Sequence, residues 1–218
     1  MEESYEISKR GIDWAIDESK FLSDGEVKSL VTATRLKANA GRKRRARVAV
    51  RDWFVIDLAL STGLRVQEIA DLKCGDIFVT DNKSSLVVRN GKGGKTRVVR
   101  FGPEFKRHLY DYLEWKRCNG EPTSLESPLV QSPRTGGHMS KRALQRTFKR
   151  CAKAAGLSDH YSIHCTRHTY ATALLRASGN NLRLVQNALG HSSLAVTEVY
   201  LGVTSAEMDR ALRRLYKG

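Results

Sequence analysis

The sequence has few cysteines, no signal-peptide pattern at its start and no long apolar run, and each of these features argues against a class of protein. Four cysteines stand far apart and form no C-x-x-C pair: Cys74, Cys118, Cys151 and Cys165. This spacing indicates neither a zinc site nor a disulfide framework, so we expect reduced thiols and no metal or other cofactor. The N-terminus lacks the basic and apolar regions of a signal peptide. The apolar run at 54–60 is short and contains Asp57, so no membrane span is expected and the chain is predicted to be cytoplasmic.

Acidic residues are outnumbered by basic ones, which favours a polyanionic partner. The 218 residues include 38 Lys and Arg against 23 Asp and Glu, a formal net charge of +15. Residues 1–30 hold eight acidic and four basic side chains, so the remaining 188 residues carry about +19. A surplus of this size is typical of proteins that bind nucleic acid. The alternative is a highly soluble basic protein.

The first part of the chain contains a clear helix start. Residues 1–22 are polar and acidic, and we interpret them as a lead-in or linker. The capping-box spacing from Ser23 to Glu26 predicts a helix that begins there and ends near Leu36. A basic connector is expected next, because residues 35–51 contain eight Lys or Arg and no acid.

One short β-rich region interrupts the helical pattern. Strands predicted at 86–88 and 97–101 flank a glycine-rich basic hairpin tip at 90–95. A further short strand is predicted at 129–131. Apolar periodicity, capping residues and glycine stops predict helices elsewhere: 46–61, 66–72, 103–118, 140–155, 164–178, 181–189, 193–200 and 205–216. The predicted fold class is therefore mainly α with a small three-stranded antiparallel β-sheet.

The stretch 163–200 gathers four groups that suit phosphodiester chemistry. His164 and Arg167 stand one helical turn apart, and His191 precedes Tyr200 by nine residues. A tyrosine oxygen has a reference pKa of about 10, so attack on phosphorus needs a nearby base or cationic field. Guanidinium groups suit the extra negative charge of a phosphorane. The alternatives are plainer, because a tyrosine late in a helix usually packs and a His-x-x-Arg pair is common on surfaces.

Two further sets of residues are candidates for the same site. Arg65 follows a helix break, and Glu68 lies three residues later, where it can orient Arg65 or hydrogen-bond His164. An ordinary i,i+3 surface salt bridge is the alternative. Lys92 and Lys95 stand on the hairpin tip. A lysine beside other cations can have a lowered pKa and protonate a leaving 5′-oxygen, and the alternative is a pair of solvated side chains.

Taken in order, these residues resemble the tyrosine recombinase, or phage integrase, family over about residues 20–210. The matching stretches are Thr62-Gly63-Leu64-Arg65-Val66-Gln67-Glu68, Gly91-Lys92-Gly93-Gly94-Lys95-Thr96-Arg97, His164-Cys165-Thr166-Arg167-His168-Thr169, Leu189-Gly190-His191 and Tyr200. The resemblance implies the catalytic-domain fold of that family. It also implies that Arg65, Arg167 and His191 hold the scissile phosphate, with Glu68 supporting them.

The resemblance further implies the proton-transfer and covalent roles. His164 would accept and donate a proton, Tyr200 would form a 3′-phosphotyrosyl bond, and Lys92 would protonate the departing 5′-hydroxyl, with Lys95 as the alternative. The implied function is a site-specific DNA recombinase or integrase that cleaves and rejoins strands. A type IB topoisomerase and a DNA-binding regulator with an inactive site are the alternatives.

Partners and domain organisation are also implied by the resemblance. Family members usually carry a helical core-binding domain before the catalytic domain. Here we expect a catalytic domain at 23–218 and no core-binding domain. The expected partner is double-stranded DNA in the nucleoid, with accessory DNA-bending proteins possible. The chain would be monomeric when free and would form a homotetramer on DNA through the segment Thr204–Leu215, which the family exchanges between protomers. The alternative is that this segment packs within its own chain.

DNA contacts are expected from two basic clusters. The predicted helix at 140–155 has an apolar face and a basic face, and the basic face is expected to lie in or along the major groove. Its members are Arg142, Gln145 and Arg146, nearest the bases, and Lys149, Arg150 and Lys153, nearer the phosphates. Contacts to the DNA sugar-phosphate backbone are expected from Arg42, Lys43, Arg44, Arg45 and Lys95. The alternative is a solvated helix face.

Overall fold

A computed structural model of the chain describes residues 20–43, 46–80, 83–89 and 96–190. These residues form seven α-helices: α1 Asp24–Lys43, α2 Arg47–Thr62, α3 Val66–Asp71, α4 Pro103–Cys118, α5 Lys141–Ala154, α6 His164–Ala177 and α7 Leu182–Leu189. The strands are β1 Ile77–Val79, β2 Ser84–Val88 and β3 Arg97–Arg100. The predicted fold class, mainly α with a small three-stranded antiparallel sheet, is confirmed. The helices predicted at 193–200 and 205–216 lie outside the described residues.

Local signals set most helix ends. The capping box at the start of α1 is formed, because the Ser23 N–H donates to Glu26 Oε2 at 2.9 Å and the Glu26 N–H donates to Ser23 Oγ at 3.3 Å. Pro103 occupies the first turn of α4, where its missing N–H costs no hydrogen bond. The Ser140 Oγ caps α5 by accepting from the Ala143 N–H at 3.2 Å.

The predicted end of α1 near Leu36 is wrong, and the basic connector is correspondingly shorter. The helix continues to Lys43, because the added segment contains alanine, lysine and arginine, which favour helix, and Ala38 is buried on the core side. Part of the basic connector at 35–51 is therefore helical. The backbone of Gly41 then lies against Ala49 of α2, with the Ala46 N–H donating to the Gly41 carbonyl at 2.8 Å.

The sheet has the order β1-β2-β3 and is antiparallel throughout. The strand that pairs with β2 on the side away from β3 is β1, Ile77–Val79. The strand predicted at 129–131 is therefore wrong. Leu129 and Val130 are fully buried in the core, and Gln131 makes only an isolated bridge to His138. This segment is apolar because Leu129 and Val130 pack in the core, not because it pairs with a strand of the sheet.

The core is centred on α2, which packs against α1, α4, α5 and α6. Phe54 of α2 stacks on Tyr112 of α4 with ring centroids 3.7 Å apart. A buried ion pair lies beside this stack, since the Arg51 Nη2 donates to Glu121 Oε1 at 2.5 Å. Lys116, also fully buried, lies 3.3 Å from the other oxygen of Glu121. Arg51, the last arginine of the basic connector, is therefore part of the interior.

A second, smaller apolar cluster joins α6 to α7. It consists of four buried residues: Ala171, Leu175, Val185 and Leu189. This packing fixes the C-terminal end of α7 against the helix that begins with His164 and contains Arg167. No helix among the described residues is long and apolar enough to cross a membrane.

Candidate active site

The junction between α2 and α3 places Arg65. Gly63 ends α2 in the left-handed region, with φ of +60°. A Cβ at this position would overlap the ring of Tyr170 on α6, so only glycine permits both the turn and the close helix contact. Arg65 then takes the N-cap position of α3, and its side chain is 31% exposed.

Glu68 is the buried centre of an arginine cluster. The Arg65 N–H donates to its Oε2 at 2.8 Å and the Arg65 Nη1 donates to its Oε1 at 3.1 Å. Arg97 forks the same carboxylate, with Nη1 to Oε1 at 2.7 Å and Nη2 to Oε2 at 2.8 Å. Burial by itself would raise the pKa of Glu68, but the hydrogen bonds and charges of Arg97 and Arg65 outweigh it and lower that pKa to about 2. Glu68 is therefore a permanent anion that orients Arg65.

Arg97 belongs to this cluster although the sequence reasoning did not select it. It lies at the start of β3 and is 13% exposed. Side chains alternate across a strand, so Arg97 shares a face with Val99, which is buried, whereas Val98 is 57% exposed. The sequence marks Arg97 only as the last residue of the matching stretch 91–97, because Val98 and Val99 are both apolar and do not show which face of the strand is buried.

Arg167 connects two parts of the site through backbone carbonyls. It is buried, and its Nη1 donates to the Gly63 carbonyl at 2.6 Å while its Nη2 donates to the Leu189 carbonyl at 2.8 Å. Gly63 lies two residues before Arg65, and Leu189 lies two residues before His191. The structure thus brings Arg65, Glu68 and Arg167 into one region at the end of α7.

His164 is exposed at the first position of α6, one turn before Arg167. The neighbouring His168 is half-buried, and its pKa is lowered by burial and by the positive charges of Arg167, His164 and Lys20. This part of α6 therefore disfavours a further cation and suits an anion. Among the described residues, no group of three or more His, Cys, Asp or Glu side chains could hold a metal ion.

Several predicted site residues lie outside the described residues. They are Lys92 and Lys95 of the hairpin tip, Arg44 and Arg45 of the basic run, His191 and Tyr200 near the C-terminus, and the segment Thr204–Leu215. Lys43 ends α1, but its side chain also falls outside the description. Their assigned roles stay predictions from the sequence.

The basic face of α5 divides into two sets when its contacts are considered. Arg150 forks Asp52 of α2 at 2.8 and 2.7 Å, and the Lys149 Nζ donates to the Asp159 carbonyl. The other members of the predicted set are exposed and make no side-chain hydrogen bond or ion pair within the described parts of the chain: Arg142, Gln145, Arg146 and Lys153. Arg42 at the end of α1 is exposed as well.

Comparison with known proteins agrees with this geometry. Residues 20–207 match the model of the phage integrase family. The chain is 37% identical over 167 residues to the tyrosine recombinase XerC of Corynebacterium efficiens, which covers 76% of this chain and 51% of that protein. It is 36% identical over 196 residues to the XerC of Rhizobium meliloti, covering 88% of this chain and 58% of that protein.

A solved structure also shares the fold. The crystal structure of XerA recombinase superposes with a TM-score of 0.69 at 29% identity, covering 90% of this chain and 64% of that one. The chain spans about half the length of the curated relatives it matches. With the family model matched over most of its length, the chain belongs to the phage integrase family.

Proposed function

We propose that residues 23–218 are the catalytic domain of a site-specific DNA recombinase that cleaves and rejoins strands through a 3′-phosphotyrosyl intermediate. The observation that carries the proposal is the arginine arrangement of the candidate active site. Glu68 orients Arg65, and Arg167 ties the backbone before Arg65 to the backbone before His191. Family membership and relatives named as tyrosine recombinases support the same chemistry.

In the cleavage step, the Tyr200 oxygen attacks the phosphorus and its proton passes to His164. A bond forms between this oxygen and phosphorus while the bond from phosphorus to the 5′-oxygen breaks, and Lys92 donates a proton to the leaving oxygen. The number of phosphoester bonds is unchanged. A 5′-hydroxyl can therefore attack the phosphotyrosine in reverse and reseal a strand without a nucleotide cofactor.

The described arginines supply positive charge where the transition state gains negative charge. Two guanidinium groups share the single Glu68 carboxylate, so the cluster keeps a net positive charge before Arg167 is counted. The partial exposure of Arg65 leaves it open to a ligand. Donors fixed in this way lose little energy to reorganisation, and removal of one typically lowers a rate by about 10²–10³.

The proposed partner is double-stranded DNA, with the activity located at the nucleoid. The net charge of +15 supports a polyanionic partner. The XerH recombinase, which shares this fold with a TM-score of 0.69 at 24% identity, was crystallised bound to its difH substrate. Accessory DNA-bending proteins would assist site selection.

A covalent-trapping experiment tests the proposal. The chain is incubated with a pool of duplexes that have randomised centres and a nick, so that cleavage releases a short strand and cannot be reversed. We expect protein–DNA complexes that survive denaturation, and sequencing of the trapped DNA gives the preferred site. DNA binding without any covalent complex would favour a regulator. Relaxation of supercoiled plasmid without strand exchange would favour a topoisomerase.

Base reading is assigned to Arg142, Gln145 and Arg146, the exposed residues of α5 that make no side-chain hydrogen bond or ion pair within the described residues. Arg146→Ala is expected to weaken discrimination at one base-pair position by about 1–3 kcal/mol and to reduce the salt dependence of binding. The measurement is competition binding with single-base variants of the trapped site at several salt concentrations. Arg150→Ala is the matched control on the same helix, because its guanidinium is held by Asp52. Equal preference and salt slope in Arg146→Ala and the unmodified chain would contradict the assignment.

Assembly on DNA is assigned to the segment Thr204–Leu215, whose sequence contains the apolar residues Met208, Leu212 and Leu215. An apolar groove of about 730 Å³ between β3, α6 and α7 is a suitable acceptor on a neighbouring protomer, lined by Val98, Phe101, Tyr170, Leu174 and Leu184 among others. Deletion of 205–218 is expected to abolish tetramers on DNA in gel-shift and sedimentation measurements. Binding to a single site should persist.

A surface variant separates assembly from other effects of the deletion. Leu184→Lys places a charge in the groove, where Leu184 is 42% exposed, and should reproduce the loss of tetramers without unfolding. Lys141→Leu, an exposed change on α5, serves as the control. Tetramers that form normally after the deletion would refute the assignment.

A further inference from the structure

Arg97 occupies a position between three elements of the candidate active site. It begins β3, it forks Glu68 of α3, and its side chain lies against Gly190 at the end of α7. A Cβ at Gly190 would overlap the Arg97 Cδ, so the backbone there rests directly on the arginine. Gly190 has a left-handed φ of +65° and immediately precedes His191.

The fork on Glu68 determines how much of Arg65 is available to a ligand. Arg97 takes both carboxylate oxygens at 2.7 and 2.8 Å, whereas Arg65 reaches only one of them with its side chain, at 3.1 Å. A carboxylate that lacked Arg97 could itself be forked by Arg65, because a bidentate pair is the favoured geometry. Because Arg97 occupies both oxygens of Glu68, the Arg65 guanidinium donates to Glu68 with Nη1 only, and its other N–H groups do not take part in the ion pair with Glu68.

Arg97 and Arg167 connect the same two regions by different atoms. Arg167 joins the Gly63 carbonyl to the Leu189 carbonyl, and Arg97 joins Glu68 to the backbone of Gly190. Each arginine therefore links the loop or helix of Arg65 to the residues just before His191. The two regions are therefore linked twice, by the hydrogen bonds of the Arg167 guanidinium and by the Arg97 side chain, which forks Glu68 and packs its Cδ on Gly190.

We propose that Arg97 is a positioning residue of the recombination reaction. It holds Glu68 so that Arg65 faces the scissile phosphate, and it supports the backbone from which His191 extends. Arg97 acts through these neighbours rather than on the phosphate. The inference rests on the proposed function, and the experiment below separates failure of one from failure of the other.

The test compares Arg97→Met with Arg97→Lys by single-turnover formation of the covalent complex on a nicked duplex trapped by the unmodified chain. We expect Arg97→Met to lower the rate about 10²-fold, as misplaced groups typically do, with DNA affinity changed much less. Arg97→Lys should recover part of the rate, because an ammonium keeps the charge but not the fork. Arg117→Met, which removes an exposed guanidinium on α4 whose partner among the described residues is Glu114, should match the unmodified chain.

A double variant tests the route through Glu68. In a Glu68→Gln background the buried anion is absent, so Arg97→Met should lower the rate far less than it does in the unmodified chain. Thermal melting of every variant shows whether it is folded. If Arg97→Met does not fold, Arg97→Lys, which keeps a second cation beside Glu68, and the double variant, which removes the buried anion, provide the comparison.

The outcomes are distinct. A folded Arg97→Met that forms the complex at the unmodified rate, or effects of the two substitutions that simply add, would overturn the inference while the proposed function stands. An unmodified chain that forms no covalent complex with any duplex would overturn the proposed function and this role with it.

Discussion

Tyr200→Phe is expected to reduce the covalent protein–DNA complex below detection while leaving noncovalent DNA binding nearly unchanged. The substitution removes only the oxygen that would attack phosphorus and keeps the ring. The measurement is denaturing gel electrophoresis of the trapped complex, with gel shifts of the same duplex under native conditions. Tyr110→Phe is a matched control, because Tyr110 is 51% exposed on α4 and should leave the complex intact.

Three other tyrosines, Tyr112, Tyr161 and Tyr170, are poor substitutes for Tyr200. Burial raises the pKa of Tyr170 and of Tyr112. Burial, together with the Glu26 carboxylate that accepts its hydrogen bond, raises the pKa of Tyr161 to about 12. A phenol with a raised pKa is a weaker nucleophile at neutral pH because less of it is ionised. A complex that persisted in Tyr200→Phe would show that Tyr200 is not the nucleophile. A peptide map of the adduct would then identify the residue that is.

Arg167→Met is expected to lower both the rate of complex formation and the stability of the fold. The loss of a preorganised guanidinium should reduce the rate by about 10²–10³. The carbonyls of Gly63 and Leu189 would also lose their donor, and a buried polar group left without a partner costs about 1–3 kcal/mol. Single-turnover kinetics and urea unfolding at fixed salt measure the two effects separately.

Two variants separate charge from geometry at this position. Arg167→Lys keeps the positive charge but lacks the planar fork that reaches both carbonyls, so it should restore less of the stability than of the DNA affinity. Arg176→Met on the same helix is the control, since Arg176 is exposed and lies 3.9 Å from Asp24. Unchanged unfolding and an unchanged rate in Arg167→Met would show that these hydrogen bonds do not support the site.

The helix boundaries were predictable where the deciding interaction is local. The Ser23–Glu26 capping box, the glycine at position 63 and the proline at position 103 all act within one turn of chain. The end of α1 was missed because the basic residues after Leu36 were interpreted as a connector, although alanine, lysine and arginine favour helix. The third strand was misplaced because burial and strand pairing select the same apolar residues.

The candidate site was only partly predictable for a related reason. The spacing of Arg65 and Glu68 indicated a local pair, and the structure contains it. Arg97 was assigned to a strand and to the hairpin stretch 91–97 but not to the site, because nothing within a few residues of it identifies Glu68 as its partner. The same limit applies to the basic face of α5, where the sequence periodicity placed both Arg146 and Arg150 on the DNA-facing side.

By itself, the sequence determined the helical pattern, the basic character and the motifs that indicate the phage integrase family, because these depend on residue type and short spacing. The tertiary structure decided which arginines are bound within the protein. Arg51 meets Glu121 across 70 residues, Arg150 meets Asp52 across 98, and Arg167 meets Gly63 across 104. A guanidinium binds a carboxylate, a carbonyl or a phosphate with similar hydrogen bonds. Only the packing of distant elements determines which of these lies within its reach.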